Sequence, residues 1–255
     1  MLKVTVLGGG KLAKHLISVF LETEGIYLQQ VYNRTKENIQ PFSKFTSITN
    51  NIENLKKSDI YIICIRDNQI HDFSKKLKNL NGLIVHTSGA MDMNVLQPEL
   101  NRGVFYPLQS FSENKKVNFE NIPFCIETEN SQDLFLLEEL GAKISKKVFK
   151  INSSQRKKLH VAAVFVNNFV NHLYQIGEDI CESNAIPFEI LHPLILETAT
   201  KIENLSPKQA QTGPAIRNDQ KTIEVHKKEL SKDTKEIYSL LTKAIIKTQT
   251  HGNKL

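Results

Sequence analysis

The chain has 255 residues, 40% hydrophobic and 24% charged, with a formal net charge of +6. That length builds one large domain or two ordinary ones, and the balance argues against a disordered chain. No apolar run approaches the roughly 20 residues of a membrane span. The lysines come in scattered pairs, such as Lys56-Lys57, Lys75-Lys76 and Lys115-Lys116, without interleaved aromatics. This pattern fits a solvated surface rather than nucleic-acid binding.

The chain opens on an apolar run, Val4-Thr5-Val6-Leu7, that enters Gly8-Gly9-Gly10-Lys11-Leu12-Ala13. This is the spacing G-x-G-x-x-A, placed between a predicted strand Lys3–Leu7 and a predicted helix Lys11–Glu22. Gly8 permits the sharp turn, Gly10 lets the backbone approach a pyrophosphate, and Ala13 allows close helix packing. The free N–H groups of Lys11, Leu12 and their neighbours, at the positive end of the helix dipole, then face an anion. No signal peptide is expected ahead of a strand that starts so early.

The second predicted strand, Tyr27–Tyr32, leads into Asn33-Arg34-Thr35, about 20 residues beyond the glycine turn, where an NAD site usually carries an acid. The nearest acid, Glu37, falls beyond the strand end. Arg34 offers a forked, charge-assisted contact to a 2′-phosphate, and Asn33 and Thr35 add neutral ones. These residues predict NADP(H) as the cofactor.

A third strand, Ile60–Ile65, places Cys64, Ile65 and Arg66 on the cofactor wall. A helix follows at Gln69–Leu80, then a strand at Leu83–His86. That strand runs into Thr87-Ser88-Gly89-Ala90, where Ser88 is expected to hydrogen-bond a substrate or the nicotinamide carboxamide. Further strands are predicted at Val104–Leu108, Pro123–Glu127 and Lys143–Val148, with a helix at Gln132–Leu140. Alternation of this kind implies βαβ units and a mostly parallel sheet.

The pattern turns helical from Ser153. Leu159, Ala162, Val166, Phe169, Leu173, Ile176 and Ile180 recur at 3,4 spacing, one face of a long helix ending at Asn184 and Pro187. More helices are predicted at Phe188–Glu203, Asp219–Leu230 and Lys232–Thr248. The fold class is therefore α/β: a Rossmann-type, mostly parallel sheet over 1–151, followed by a smaller all-α domain over 152–255. The broad apolar stripe of the long helix predicts a homodimer through the C-terminal helices. Cys64, Cys125 and Cys181 are dispersed and form no C-x-x-C, which places the chain in the reducing cytoplasm. The histidines show no H-x-x-x-H spacing, and no metal is expected.

On that helix His160, Asn167, Asn171 and Tyr174 fall on one face by their spacing, with Asn168 beside them. An imidazole suits proton transfer near neutral pH, so His160 is a candidate general acid, and Asn168 a donor to a substrate carbonyl. The segment Gln211–Asp219 interrupts the helices with Thr212-Gly213-Pro214. It brings Arg217 near Asp219, which is placed to cap the next helix.

With these residues in place, the chain resembles a known group. Gly8–Ala13, Asn33-Arg34-Thr35 and His86–Ala90 resemble the Rossmann domain of NADP oxidoreductases related to pyrroline-carboxylate reductase and deazaflavin-dependent NADP reductases. So does Tyr106-Pro107-Leu108-Gln109-Ser110-Phe111. His160–Phe165 with Asn168-Phe169, and Gln211–Asp219, resemble a helical domain of unknown function that accompanies it in a bacterial family. The resemblance implies NADP binding and reductase chemistry on a small carbonyl or imine metabolite between the two domains. Two departures stand out. Arg66 stands where relatives often have proline, and the lysine that the long helix of related reductases supplies has no counterpart. The missing lysine keeps a second reading in view, a non-enzymatic NADP-binding sensor or assembly subunit.

Overall fold

The computed structural model describes residues 1–113 and 116–252, with side chains through Thr248 in the last helix. Lys115 of the Lys115-Lys116 pair lies outside the described residues. The chain divides into two compact units, Met1–Phe165 and a helical unit from Val166 onward.

The first unit is built on one sheet of eight strands. These are β1 (Leu2–Leu7), β2 (Ile26–Tyr32), β3 (Ser47–Thr49), β4 (Ile60–Ile63), β5 (Leu83–His86), β6 (Asn101–Pro107), β7 (Phe124–Thr128) and β8 (Val148–Lys150). They lie in the order β3-β2-β1-β4-β5-β6-β7-β8. All neighbours are parallel except β6 and β7, which are antiparallel. α1 (Lys11–Glu22) and α2 (Asp67–Ser74) serve as crossovers.

Strand alternation sends side chains to both faces. Ile60 and Ile62 join Leu16, Ile17, Phe20, Leu137 and Leu140 on the side of α1 and α3 (Ser131–Ile144). Tyr61 and Ile63 join Ile70, Leu77 and Leu96 on the side of α2. Strands buried on both faces read as continuous apolar runs, as the sequence Ile60-Tyr61-Ile62-Ile63 does.

The helix α1 has the bounds read from the sequence. Three differences from expectation concern the strands. The predicted strand Lys143–Val148 begins inside α3, because Ile144 continues the Leu137, Leu140 stripe for one more turn and is buried with it. Ser145 N–H then donates to Gly141 O at 2.8 Å, and the strand follows at Val148–Lys150. The predicted strand Ile60–Ile65 stops at Ile63, since Arg66 already serves as N-cap of α2. The short strand β3 gave no apolar run to find.

The long helix is continuous from Ser153 to Ser183 but not uniform. α4 (Ser153–Ala163) passes through a π-helical turn, Val164–Phe169, into α5 (Val170–Ser183). A π turn bonds i to i+5 and breaks the 3.6-residue phase. The expected alignment of His160 with Asn167, Asn171 and Tyr174 is therefore not kept. Beyond α5 come α6 (His192–Thr200), α7 (Pro207–Ala210), α8 (Gln220–Lys228) and α9 (Lys232–Gly252). Asp219 caps α8, accepting from Thr222 N–H at 3.1 Å and from Thr222 Oγ1 at 2.7 Å.

Among the described residues, no helix is long and apolar enough to cross a membrane.

Candidate functional site

Sheets of this kind bind ligands outside the carboxyl ends of their strands, where the connections part to opposite faces. Here that point lies between β1 and β4, and the glycine turn sits on it. Gly8 adopts φ +143°, and a Cβ on it would lie 2.2 Å from Cys64 O. Its N–H donates to Tyr32 O at 2.7 Å. One residue thus draws together the ends of β1, β2 and β4, and no side chain fits there. A Cβ on Gly9 would lie 3.0 Å from Asn33 Cγ.

Gly10 differs. It is exposed, and a Cβ built on it would meet nothing within 4 Å. It is the N-cap of α1, yet no side chain caps the helix and no acid sits in its first turn. The N–H groups of that turn, which Lys11 and Leu12 begin, face open space at the positive end of the dipole. These residues fit a dinucleotide's pyrophosphate.

Asn33, Arg34 and Thr35 follow β2 beside this turn. Asn33 N–H donates to Thr49 O at 3.1 Å and its Nδ2 donates to Thr35 O at 2.7 Å, which fixes the bend. Arg34 is exposed and forms no ion pair among the described residues. Glu37 lies beyond, in a 3₁₀ helix that starts at Lys36. Cys64 is buried, and burial pushes its thiol up to about 12, so it lines the wall as a neutral group. Ile65 is half-buried and Arg66 exposed.

The second cluster surrounds the loop after β5. Ser88 Oγ donates to Asp67 Oδ2 at 2.8 Å and accepts from Ala90 N–H at 3.1 Å and Met91 N–H at 3.0 Å. Its one hydrogen and both lone pairs are thereby used. His86 is buried. Its Nδ1 accepts from Ser88 N–H at 3.2 Å, and its Nε2 lies 3.3 Å from Asp92 O. Burial first, and the nearby Arg156 cation second, push its pKa down to about 4.

Gly89, next to Ser88, sits against His160 and Tyr106. A Cβ there would lie 2.6 Å from His160 Nδ1 and 2.7 Å from Tyr106 Cζ. Tyr106 Oη and His160 Nδ1 are 3.1 Å apart, with the rings edge-on. Tyr106 is buried, and burial pushes its hydroxyl up to about 12, with Cys125 and Asp67 adding to the rise and Arg156 opposing it.

A buried polar network holds α4 in this position. Arg156 is fully buried. Its Nη1 donates to Glu127 Oε2, and its Nη2 donates to Met91 O at 2.6 Å and to Ser153 Oγ at 3.0 Å. Ser153 N–H and Oγ donate to the same carboxylate at 2.9 Å and 2.7 Å. Lys157 pairs with Asp92 at 2.9 Å. His160 lies one helical turn beyond Arg156.

The structure therefore gathers the cofactor candidates at one sheet edge and brings Ser88 and His160 to either side of Gly89. Asn168 lies in the second unit, exposed, without a side-chain hydrogen bond among the described residues. Sequence reasoning did not single out Asp67, Glu127 and Arg156, and it quoted Tyr106 only within a matching stretch. A lone arginine four residues before His160 was the available signal.

Sheet order and turn geometry define a Rossmann-type α/β protein with the layout of a dinucleotide site. A "putative NADP oxidoreductase" from Bacteroides fragilis is 34% identical to this chain, with 96% of this chain and 98% of that one covered and a TM-score of 0.88. The chain belongs to this NADP oxidoreductase-like family. Residues 122–245 match a domain of unknown function, DUF2520. A Thermotoga maritima protein shares the fold at 21% identity, covering 98% of this chain and 100% of that chain, with a TM-score of 0.75. An imine reductase from Myxococcus stipitatus, in complex with NADP+, does so at 16% identity, covering 99% and 94%, with a TM-score of 0.67. No curated protein matches the chain.

Proposed function

We propose that this protein is an NADP(H)-dependent oxidoreductase that transfers hydride to or from a small carbonyl or imine metabolite, acting as a cytoplasmic homodimer. The observation that carries the reading is the open, uncapped start of α1 beside Arg34, which has no ion pair among the described residues. Gly8 and Gly10 shape the pyrophosphate cradle, and Lys11 and Leu12 present their N–H groups to it. Asn33, Arg34 and Thr35 receive the 2′-phosphate, and Cys64, Ile65 and Arg66 form the wall toward the nicotinamide. The NADP+ bound by the Myxococcus imine reductase supports the choice of cofactor.

The bound nicotinamide supplies the hydride. The chain must then orient the acceptor and provide a proton for its heteroatom. His160 is the source of that proton and Asn168 a hydrogen-bond donor to the acceptor. Ser88, with its hydroxyl engaged by Asp67, shapes the loop that packs against His160.

Titration of the protein with NADPH and NADH tests the reading. NADPH should bind at least about tenfold more tightly, and Arg34→Ala should remove that preference, as loss of a charge-assisted contact implies. Equal affinity for both cofactors in the unaltered protein refutes it.

A further inference from the structure

We infer that Tyr106 is the residue that hands the proton to the substrate, and that His160 resupplies it through the Tyr106 Oη to His160 Nδ1 contact. This rests on the reductase reading above and assigns a donor within it. Three observations on independent elements meet at this point.

The first is position. Tyr106 is the penultimate residue of β6, and β6 runs parallel to β5. Its ring thus stands at the carboxyl edge of the sheet, the edge that carries the glycine turn and the loop after β5. The second is the close approach of Gly89. Any side chain there would collide with both His160 Nδ1 and the Tyr106 ring. The third is the state of the alternative donor. The Ser88 hydroxyl gives its one hydrogen to Asp67 and accepts two backbone N–H groups, so donation to a substrate would break a complete set of bonds. His160 Nε2, by contrast, makes no hydrogen bond among the described residues, and the ring is only half-buried.

The step balances as follows. Hydride reaches the carbon of a C=O or neutral C=N group, and the π electrons move to the oxygen or nitrogen. That atom takes the proton of Tyr106 Oη. The phenolate takes the proton of His160 Nδ1, and Nε2 takes one from water. The acceptor is reduced by two electrons and the reduced nicotinamide is oxidised by two. The charged and titratable groups facing the pair are Asp67 at the start of α2, Cys125 on β7 and Arg156 on α4. Burial of the tyrosine keeps its hydroxyl protonated through the neutral range, ready to donate.

The test compares Tyr106→Phe, His160→Asn and His160→Ala with the unaltered protein. Asparagine places an amide nitrogen near the Nδ1 position, so it restores a structural hydrogen bond but exchanges no proton. A panel of cyclic imines and ketones is followed by loss of NADPH absorbance across pH. The expected result is a fall in kcat of at least about a hundredfold in Tyr106→Phe, with NADPH affinity within twofold. His160→Asn and His160→Ala should lower kcat alike. A readout without turnover is the NMR chemical shift of the His160 ring nitrogens in the NADP+-bound protein, which should change in Tyr106→Phe. Turnover by Tyr106→Phe at the unaltered rate, full rescue by His160→Asn, or an unchanged ring shift overturns the inference and leaves the reductase reading standing. NADPH binding with no turnover of any panel member by the unaltered protein overturns both.

Discussion

At the scale of single residues, His86 shows how burial is turned into a pH limit. Its Nδ1 accepts from Ser88 N–H, so the ring must be neutral there, and Arg156 stands nearby as a fixed cation. Protonation would set a second hydrogen against that N–H and a second positive charge beside the guanidinium. The folded state holds the pKa down to about 4, while an unfolded histidine titrates near 6.5. The unfolded chain therefore binds this proton first. The contribution of a neutral His86 is full above about pH 6.5 and is lost as the pH falls toward about 4. Its size is on the order of 3 kcal/mol, taking one pH unit as about 1.4 kcal/mol. Urea unfolding at a series of pH values should show His86→Asn with a shallower loss below about pH 6.5 than the unaltered protein, because the amide oxygen accepts from Ser88 N–H at any pH. Parallel slopes would mean that His86 is not the group responsible.

At the scale of elements, the start of α4 is fixed to β7 and to the loop after β5 by a charge pair whose arginine is fully buried. Arg156 is fully buried and its Nε has no hydrogen-bond partner among the described residues. Glu127 accepts from both Arg156 and Ser153. Removing one member of such a pair leaves the other charge buried alone, at a cost of about 3–5 kcal/mol. Arg156→Met should lose about that much by thermal or urea unfolding. Arg156→Met with Glu127→Gln should recover at least about 1 kcal/mol of it, because the amide still accepts from Ser153 and carries no charge. Strict additivity of the two changes would show that the pair is not coupled. This element also marks the limit of what the sequence reveals. The glycine turn, α1 and the strand ends were legible because their signals are local: Gly8 to Ala13 is one turn of chain, and Ile60 to Ile63 is one apolar run. The partners Arg156 and Glu127 stand 29 residues apart, and Tyr106 and His160 stand 54 apart. No spacing rule joins them. The π turn at Val164–Phe169 was hidden for another reason: a sequence read at 3.6 residues per turn carries no mark of the residue it absorbs.

At the scale of the whole molecule, the helical unit leaves much of its apolar surface exposed. Among its described residues only Cys181, Ala210, Ala215 and Ile223 are buried hydrophobics. Val166, Leu173, Ile180, Leu194, Leu196 and Leu240 all lie exposed, Val166 at 74% and Leu240 at 69%. Scattered apolar residues on a surface need no explanation, but the run of them along α5, α6 and α9 is the surface that the proposed homodimer would cover. The stripe read from the sequence at 3,4 spacing thus lacks, in one chain, the core that its pattern demands. A second copy of the same helices offers a matching apolar face, and twofold pairing of like surfaces is the commonest way to close one. Light scattering at micromolar concentration should give a mass of about 58 kDa, twice the 29.0 kDa of the chain. Leu194→Glu together with Leu240→Glu separates the possibilities. At truly solvent-exposed positions each substitution changes stability by no more than about 0.5 kcal/mol. On a covered face the carboxylates must be desolvated in the pair, so the mass should fall toward that of one chain and the midpoint of thermal unfolding should drop with it. An unaltered protein that stays at 29.0 kDa, with both substitutions silent, would refute the dimer.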